Sequence, residues 1–394
     1  MSDTASFDVR QTLPLPYDDR GVGRVVLGEA LVSALPAEQH AWCQEIRRIL
    51  RPGGTVELAA ASVLAPALWQ TRFREAGFDP MPRAAAAGDD ALRFIKPNRS
   101  VSGDPLVSLV IPAYSPRFFE ACLSSAMAQS YEALEILICD DSPGTEIEEI
   151  AWRWRRKRPL SYVRNGERLN TLRNYARCFE LARGEFVKFL NDDDLLMPDC
   201  VSGMIEGFRR VPDLALATSY RSCIDEKDAR LLDLPATRPI VREDAIVYGP
   251  SLANVMVMAG LNVIGEPSTV MFRKADLTRV MPQHFAFENR SNIGMVDMAM
   301  WRALLLQGDA LYFSQAMSRF RLHPGQGQKD PKYAGFAAPN IRAMQADWLA
   351  GGLHQHFRRD AVLAKPYAGP ASAWRVQPLS AMPAVGTPRF WRSC

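Results

Sequence analysis

The chain has 394 residues, 47% of them hydrophobic and 23% charged, which is enough for two or three globular domains with cores of their own. Its 47 basic and 44 acidic residues leave a net charge of +3, too balanced for nucleic-acid binding by bulk electrostatics. Seven cysteines without a Cys-x-x-Cys pair argue against a zinc ribbon or a disulfide framework and for a reducing compartment. The opening Met1-Ser2-Asp3-Thr4 lacks a signal pattern and no apolar run approaches the roughly 18 residues of a membrane span, so the sequence reads as a cytoplasmic protein.

Residues 1–98 form the first expected unit. Arg24-Val25-Val26-Leu27 reads as a buried strand, Glu38 to Leu50 as an amphipathic helix, Arg51-Pro52-Gly53-Gly54 as its stop, and Thr55 to Ala60 as a second strand. A helix from about Pro66 to Ala76 closes at Gly77, and Leu92-Arg93-Phe94-Ile95 offers a last strand. The wording Leu15-Pro16-Tyr17-Asp18-Asp19, then Glu45 to Gly54, then Phe73-Arg74-Glu75-Ala76-Gly77-Phe78, resembles the second half of a class I S-adenosylmethionine-dependent methyltransferase. The glycine-rich turn on which that family seats its cofactor is missing, so the resemblance implies a truncated, non-catalytic unit used for structure or docking. The strand at Val25, interior in a complete methyltransferase sheet, is expected to be an edge that another part of the chain or a partner must cover.

A linker at 99–105 leads to a second domain at 106–325. Val107-Ser108-Leu109-Val110-Ile111 is a β-rich run ended by Pro112-Ala113-Tyr114, followed by a helical pattern from about Phe118 to Ala128. Leu134 to Cys139 closes at Asp140-Asp141-Ser142-Pro143-Gly144, and a helix with Ile147, Ile150, Ala151 and Trp154 leads to the strand Tyr162-Val163. The helix Thr171 to Ala182 feeds Phe186 to Leu190, which ends in Asn191-Asp192-Asp193-Asp194. Four alternations of strand and helix predict a mostly parallel sheet covered on both faces, with Asp140-Asp141 and Asp192-Asp193 on the same edge.

Three adjacent carboxylates repel, and a pair about 4 Å apart costs on the order of 4 kcal/mol near a protein surface, so a cation or several N–H donors are expected beside them. Magnesium is commonly held by one or two carboxylates plus substrate phosphates; the competing reading is an acidic turn that caps the next helix. Asp140-Asp141-Ser142-Pro143-Gly144 is likewise a strong turn sequence in its own right.

Val107 to Tyr114, then Ser124-Ser125-Ala126-Met127-Ala128-Gln129-Ser130-Tyr131, then Glu135 to Ser142, resembles the nucleotide-binding half of a family-2 glycosyltransferase of the GT-A fold. Asn165, Asn170, Arg173 and Asn174 fall where that family has its loop and helix start, and its D-x-D element is Asn191-Asp192-Asp193, with Asn replacing the first Asp. The resemblance covers about 105–325. It implies an α/β fold with an acceptor-binding half, a nucleotide-sugar donor, and a divalent metal, Mn2+ or Mg2+, at Asp193. It further implies a donor pocket of Pro112, Ala113, Tyr114, Asp141, Asn170, Arg173 and Asp192, in which Asp141 accepts from the N3–H of a uracil-like base. Asp192 is expected to support the ribose or the groups behind it.

Beyond Ser222 the sheet pattern loosens. Residues 249–262 read as a buried helix, and Gly265 to Arg273 as a turn entering a strand that, in similar proteins, lines the pocket. Met295 to Trp301 opens a helix with Asp297 near its start. The family's general base is an acidic residue at the start of a helix in this half, so Asp297 is the expected catalytic residue, with Glu266 and Glu288 as competitors and plain helix capping as the alternative. A helix N-terminus is expected to keep Asp297 ionised and weakly basic. Leu311-Tyr312-Phe313 and Met317 to Gly325 resemble the family's closing segment, where His323 either completes the metal shell, touches the diphosphate or is structural. The run Arg153, Arg155, Arg156, Lys157, Arg158 reads as a solvated helix face, or as a surface toward anionic lipid at the inner face of a membrane. Residues 326–394 hold a helix around Ile341 to Leu349 and a proline-spaced tail. The reading is an inverting, metal-dependent glycosyltransferase acting on a saccharide, lipid-linked or protein acceptor. A sugar nucleotidyltransferase would need a glycine- and lysine-rich loop where Pro112-Ala113-Tyr114-Ser115-Pro116 stands, and the alternative is a non-catalytic sugar-nucleotide-binding or scaffold protein.

Overall fold

The computed structural model describes residues 4–7, 20–27, 36–58, 66–82, 91–156, 159–281, 295–326, 331–368 and 374–379. In the first unit Thr4–Phe7 (β1), Val22–Leu27 (β2), Leu50–Leu58 (β3), Asp79–Pro80 (β4) and Leu92–Ile95 (β5) make a five-stranded sheet in the order β1-β2-β3-β5-β4. The helices Pro36–Ile49 and Pro66–Glu75 join these strands. Trp42, Ile46, Trp69 and Phe73 bury the helices' apolar residues in a core that includes Val25, Val56 and Phe94. β2 is no free edge: β1 runs parallel to it, with Ala5 opposite Val25. Arg51 to Gly54, expected as a helix stop, lies inside β3 and bulges out of it. Val22 pairs with Leu50 but Arg24 pairs with Thr55, and Gly53 takes the left-handed conformation (φ +77°) that the kink requires.

The second sheet contains Val107–Ala113 (β6), Leu134–Asp140 (β7), Ser161–Arg164 (β8), Phe186–Phe189 (β9), Leu195–Leu196 (β10) and Leu214–Ile224 (β11). Ala245–Val247 (β12), Met271–Arg273 (β13), Asp309–Arg321 (β14), Ala361–Pro366 (β15) and Arg375–Pro378 (β16) complete it. Its order is β16-β15-β12-β14-β11-β13-β9-β6-β7-β8, with β10 on β14. β8, β7, β6 and β9 are mutually parallel, so the ends of β7 and β9, with Asp140-Asp141 and Asn191 to Asp194, open on one edge. Past β9 the sheet is mixed: β13 is antiparallel to both β9 and β11, while β11 and β14 are parallel. The mostly parallel sheet expected from the sequence is therefore confined to its leading half. The apolar residues of β6 serve two cores. Val110 faces the helices Asn170–Leu181, Gly249–Ala259 and Val296–Leu305, whereas Leu109 and Ile111 face Pro116–Met127, Glu146–Trp154 and Cys200–Arg210.

β11 and β14 are longer than the sequence pattern suggests. Every residue of β11 is buried, which removes the polar alternation that marks a half-exposed strand, and the shifts of register near Tyr220 break the period further. The region after 326 is more ordered in the sheet than a tail: β15 pairs with β12, and the helix there runs Pro331–Ala350, longer than expected, with Pro339 inside it. Among the described residues no helix is long and apolar enough to cross a membrane.

Candidate active site

β6 ends at Pro112-Ala113, and Ser115 caps the next helix with Pro116 in its first turn. The backbone therefore turns sharply at Tyr114, which is left 45% exposed at the sheet edge. One oxygen of Asp192 accepts hydrogen bonds from the Tyr114 and Ser115 amides, both at 2.7 Å, so Asp192 fixes this turn from across the edge. The Arg168 guanidinium lies 4.8 Å from the exposed Tyr114 ring. Asp141 anchors in the same manner. It accepts from the amides of Leu169 (2.7 Å) and Asn170 (2.8 Å) and from the Asn165 side chain (2.9 Å), using three of about four acceptor positions and holding Asn170 at φ +62°. Arg173 points outward and pairs with Glu167 at 3.1 Å, while the buried Asn174 donates to the Cys139 carbonyl at 3.0 Å.

Asn191, the departure from the D-x-D pattern, has work of its own. Its side-chain Oδ1 accepts from the Tyr175 hydroxyl and its Nδ2 donates to Asp194 at 3.3 Å. An aspartate there could not donate and would set a second charge against a buried carboxyl. Asp194 is 1% exposed and joins three segments: Ser268 Oγ donates to it at 2.6 Å, the Arg321 amide at 3.0 Å, and Asn191 from its own turn. Ser268 is itself held, since its hydroxyl accepts from the Asn191 amide at 2.9 Å and its carbonyl from the buried Lys188 at 2.6 Å. Asp194 is thus more than the turn former that its sequence position suggests. Removing its carboxylate strands Ser268 and the Arg321 amide, at about 1–3 kcal/mol per unsatisfied group, so Asp194→Ala is expected to lower the urea midpoint clearly and Asp194→Asn less. Equal midpoints for wild type and Asp194→Ala would contradict this.

Asp193 faces the open edge. Its Oδ2 lies 3.0 Å from His323 Nε2, and its carbonyl accepts from Arg321 Nε at 2.8 Å. Arg321 is 1% exposed; it also reaches the Asp225 carbonyl at 2.8 Å and Asp228 at 2.6 Å, and stacks 4.5 Å over Phe118. Burial and the neighbouring Asp192 push the Asp193 carboxyl up to about 7. The 3.0 Å separation is an ordinary hydrogen-bond distance, so the two side chains are joined directly, and a divalent cation would have to replace that contact to be held by both. Among the described residues no group of three or more His, Cys, Asp or Glu is placed to hold a metal.

Asp297 lies in the first turn of the helix Val296–Leu305, where its carboxylate accepts from the Met298 amide and from Asn262 Nδ2, both at 2.7 Å. Asn262 also brackets Gly265 through both its amide and its carbonyl, at 3.0 and 2.8 Å. Gly265 has φ +132° and abuts Thr269, which leaves no room for a side chain. The expectation that the helix terminus makes Asp297 a weak base is corrected here. Burial outweighs the two donors, Glu266 adds to it, and the carboxyl rises to about 6. Glu266 is held by the buried Arg221 at 2.6 Å; Glu288 lies outside the described residues. Burial, and then the charges of Asp193, Asp194, Asp297 and Asp192, push up the Tyr175 hydroxyl. Tyr175, Asn262, Ser268 and Arg321 were not singled out from sequence. Of the basic run, Arg153 pairs with Glu120 at 3.1 Å and Arg155 stacks on Trp152, while Lys157 and Arg158 are outside the described residues.

Residues 108–275 match the family described as Glycosyl transferase family 2. An uncharacterized protein, MT1568, of Mycobacterium tuberculosis is 34% identical over 175 residues, 43% of this chain and 54% of the relative. The O-antigen biosynthesis protein RfbC of Myxococcus xanthus is 30% identical over 218 residues, 52% of this chain and 16% of the relative. The chain thus spans about half of the first relative and a small part of the second. Among solved structures, S. aureus TarS in complex with UDP-GlcNAc aligns with a TM-score of 0.47 at 15% identity, over 62% of this chain and 71% of that one.

Proposed function

We propose that the chain is an inverting glycosyltransferase of the GT-A fold. It moves a sugar from a nucleotide-diphosphate sugar, UDP-linked, to a hydroxyl of a saccharide, lipid-linked or protein acceptor in polysaccharide or glycoconjugate biosynthesis. The observation that carries the reading is the pairing of Asp193 with His323 at the end of the parallel strands, beside two loops that Asp141 and Asp192 order. The family match and the O-antigen relative support it. A divalent cation held by Asp193 and His323 would take up negative charge on the departing diphosphate. Tyr114 and Arg168 offer a stacking surface to the base, and Asp141 and Asp192 keep the two loops around it in place. Asp297 takes the proton from the acceptor hydroxyl as that oxygen attacks the anomeric carbon from the side opposite the diphosphate. Its carboxyl, raised to about 6, is a stronger base than an ordinary aspartate and is still ionised at neutral pH.

A thermal-shift screen tests the donor. UDP-sugars are expected to raise the melting temperature with manganese and not without it, because a ligand at 100 times its Kd stabilises the native state by about 2.7 kcal/mol. No shift with any nucleotide sugar, with or without manganese, would contradict the reading.

A further inference from the structure

The helix Val296–Leu305 is anchored at both ends, and the two anchors come from different parts of the chain. Its leading turn carries Asp297, held by Asn262. At the trailing end, the last carbonyls of a helix have no partner within it and must find one elsewhere. Here the Leu306 carbonyl accepts from Gln44 Nε2 at 2.7 Å, and the Gln307 carbonyl accepts from Arg99 Nη1 at 3.1 Å. Gln44 belongs to the helix Pro36–Ile49 of the N-terminal unit and Arg99 to the linker; both side chains are buried. Arg99 is itself oriented by Asp276 at 3.0 Å. The Gln307 side chain ties the same point to the preceding helix, Lys274–Val280, accepting from Arg279 and donating to the Asp276 carbonyl, both at 2.9 Å. The turn at Gly77 (φ +83°) presses on it directly: an added Cβ would lie 3.0 Å from the Gln307 Cβ and 3.2 Å from its carbonyl oxygen.

A ten-residue helix is about 15 Å long and stiff, so a shift or tilt at Leu306 and Gln307 is passed to Asp297. A misplacement of about 1 Å at a reacting group can cost about 10²-fold in rate. We infer that the N-terminal unit is a positioning module for the transfer reaction: through Gln44, Arg99 and the Gly77 turn it fixes the trailing end of this helix, and thereby the place of Asp297 in the site. This rests on the reading of Asp297 as the base. Gln44, Arg99 and Gln307 touch no reacting atom; they are positioning residues.

Two mild variants of the full chain test it. Gln44→Leu keeps the volume and loses the donor, and Arg99→Lys keeps the charge facing Asp276 and loses the fork. The first measurement is hydrogen exchange without any donor. The amides of Ala299, Met300 and Trp301, at the end of the helix remote from both substitutions, are expected to exchange at least about ten-fold faster, with those of the helix Asn170–Leu181 unchanged. Unchanged exchange at Ala299 to Trp301 would overturn the inference. The second is UDP release from UDP-glucose or UDP-N-acetylglucosamine with manganese, whichever the wild type consumes. In the double variant kcat is expected to fall about 10- to 100-fold with donor KM within about two-fold, and the same substitutions are expected to have little further effect when added to Asp297→Asn. An equal fold-loss in both backgrounds would mean that the interface acts on something other than Asp297 and would also overturn it. If Asp297→Asn alone keeps full turnover, the base reading has failed, and the exchange result still decides whether the clamp exists.

Discussion

Replacing Asp297 by Asn is expected to lower turnover by at least about 10²-fold while leaving nucleotide-sugar affinity nearly unchanged, because positioned acid–base catalysis contributes about 10² to 10⁴-fold and is felt only in the transition state. Asparagine keeps the size of the side chain and can still accept from the Met298 amide, so the helix start survives. What it lacks is a carboxylate that can take a proton. The wild-type profile of kcat against pH is expected to fall below about 6, where burial has placed the Asp297 carboxyl, and the variant is expected to lose that limb. A variant that loses donor binding yet keeps its turnover at saturation would make Asp297 a donor-site or capping residue instead.

The second large effect concerns stability. Asp213 sits at the start of β11 against the N-terminal unit, almost wholly buried, with Lys96 Nζ at 2.9 Å and Arg20 Nε at 2.9 Å, while its carbonyl accepts from Arg47 at 3.3 Å. Burial works against its charge, but Lys96, Arg47 and Arg20 outweigh burial and hold the carboxyl well below the usual range. Lys96 is equally buried; burial lowers its ammonium to about 8 despite Asp213. Breaking such a pair from one side leaves an uncompensated buried charge, so Asp213→Ala is expected to lose about 3–5 kcal/mol in urea unfolding, and the double replacement of Asp213 and Lys96 by apolar residues to recover much of it. A folded-state pKa below the unfolded value stabilises above that unfolded value, so this contribution is expected to be full above about pH 4 and to fade as the pH drops below it. A loss under about 1 kcal/mol for Asp213→Ala would mean that this ion cluster contributes little to holding the unit.

How far the site could be read from sequence depends on how local each role is. Asp141, Asp192, Asp193 and the turn at Tyr114 were legible because each follows a short apolar run, and a run followed by acidic or turn residues marks a strand end whatever the rest of the fold does. Asp297 was singled out only through the resemblance. Asn262, Ser268 and Arg321 escaped because their functions lie in partners far along the chain: Ser268 to Asp194 spans 74 residues and Arg321 to Asp193 spans 128. An isolated serine or arginine carries no such signal. The same reasoning explains the direction of the Asp297 shift, since the helix start can be read locally and the burial around it cannot. At the level of the fold, the alternating pattern predicted β6 to β9. The all-buried β11, and β15 with its place beside β12, depend on neighbours that no window of sequence contains.

The central claim, that Asp193 with a divalent cation drives donor turnover, meets its most direct test in UDP release from UDP-sugars by the wild type and Asp193→Ala, each assayed with manganese and with a chelator. The account predicts release by the wild type that needs the cation, and none above background from Asp193→Ala under either condition. Equal, full release by Asp193→Ala and wild type, or wild-type release indifferent to the chelator, would contradict it.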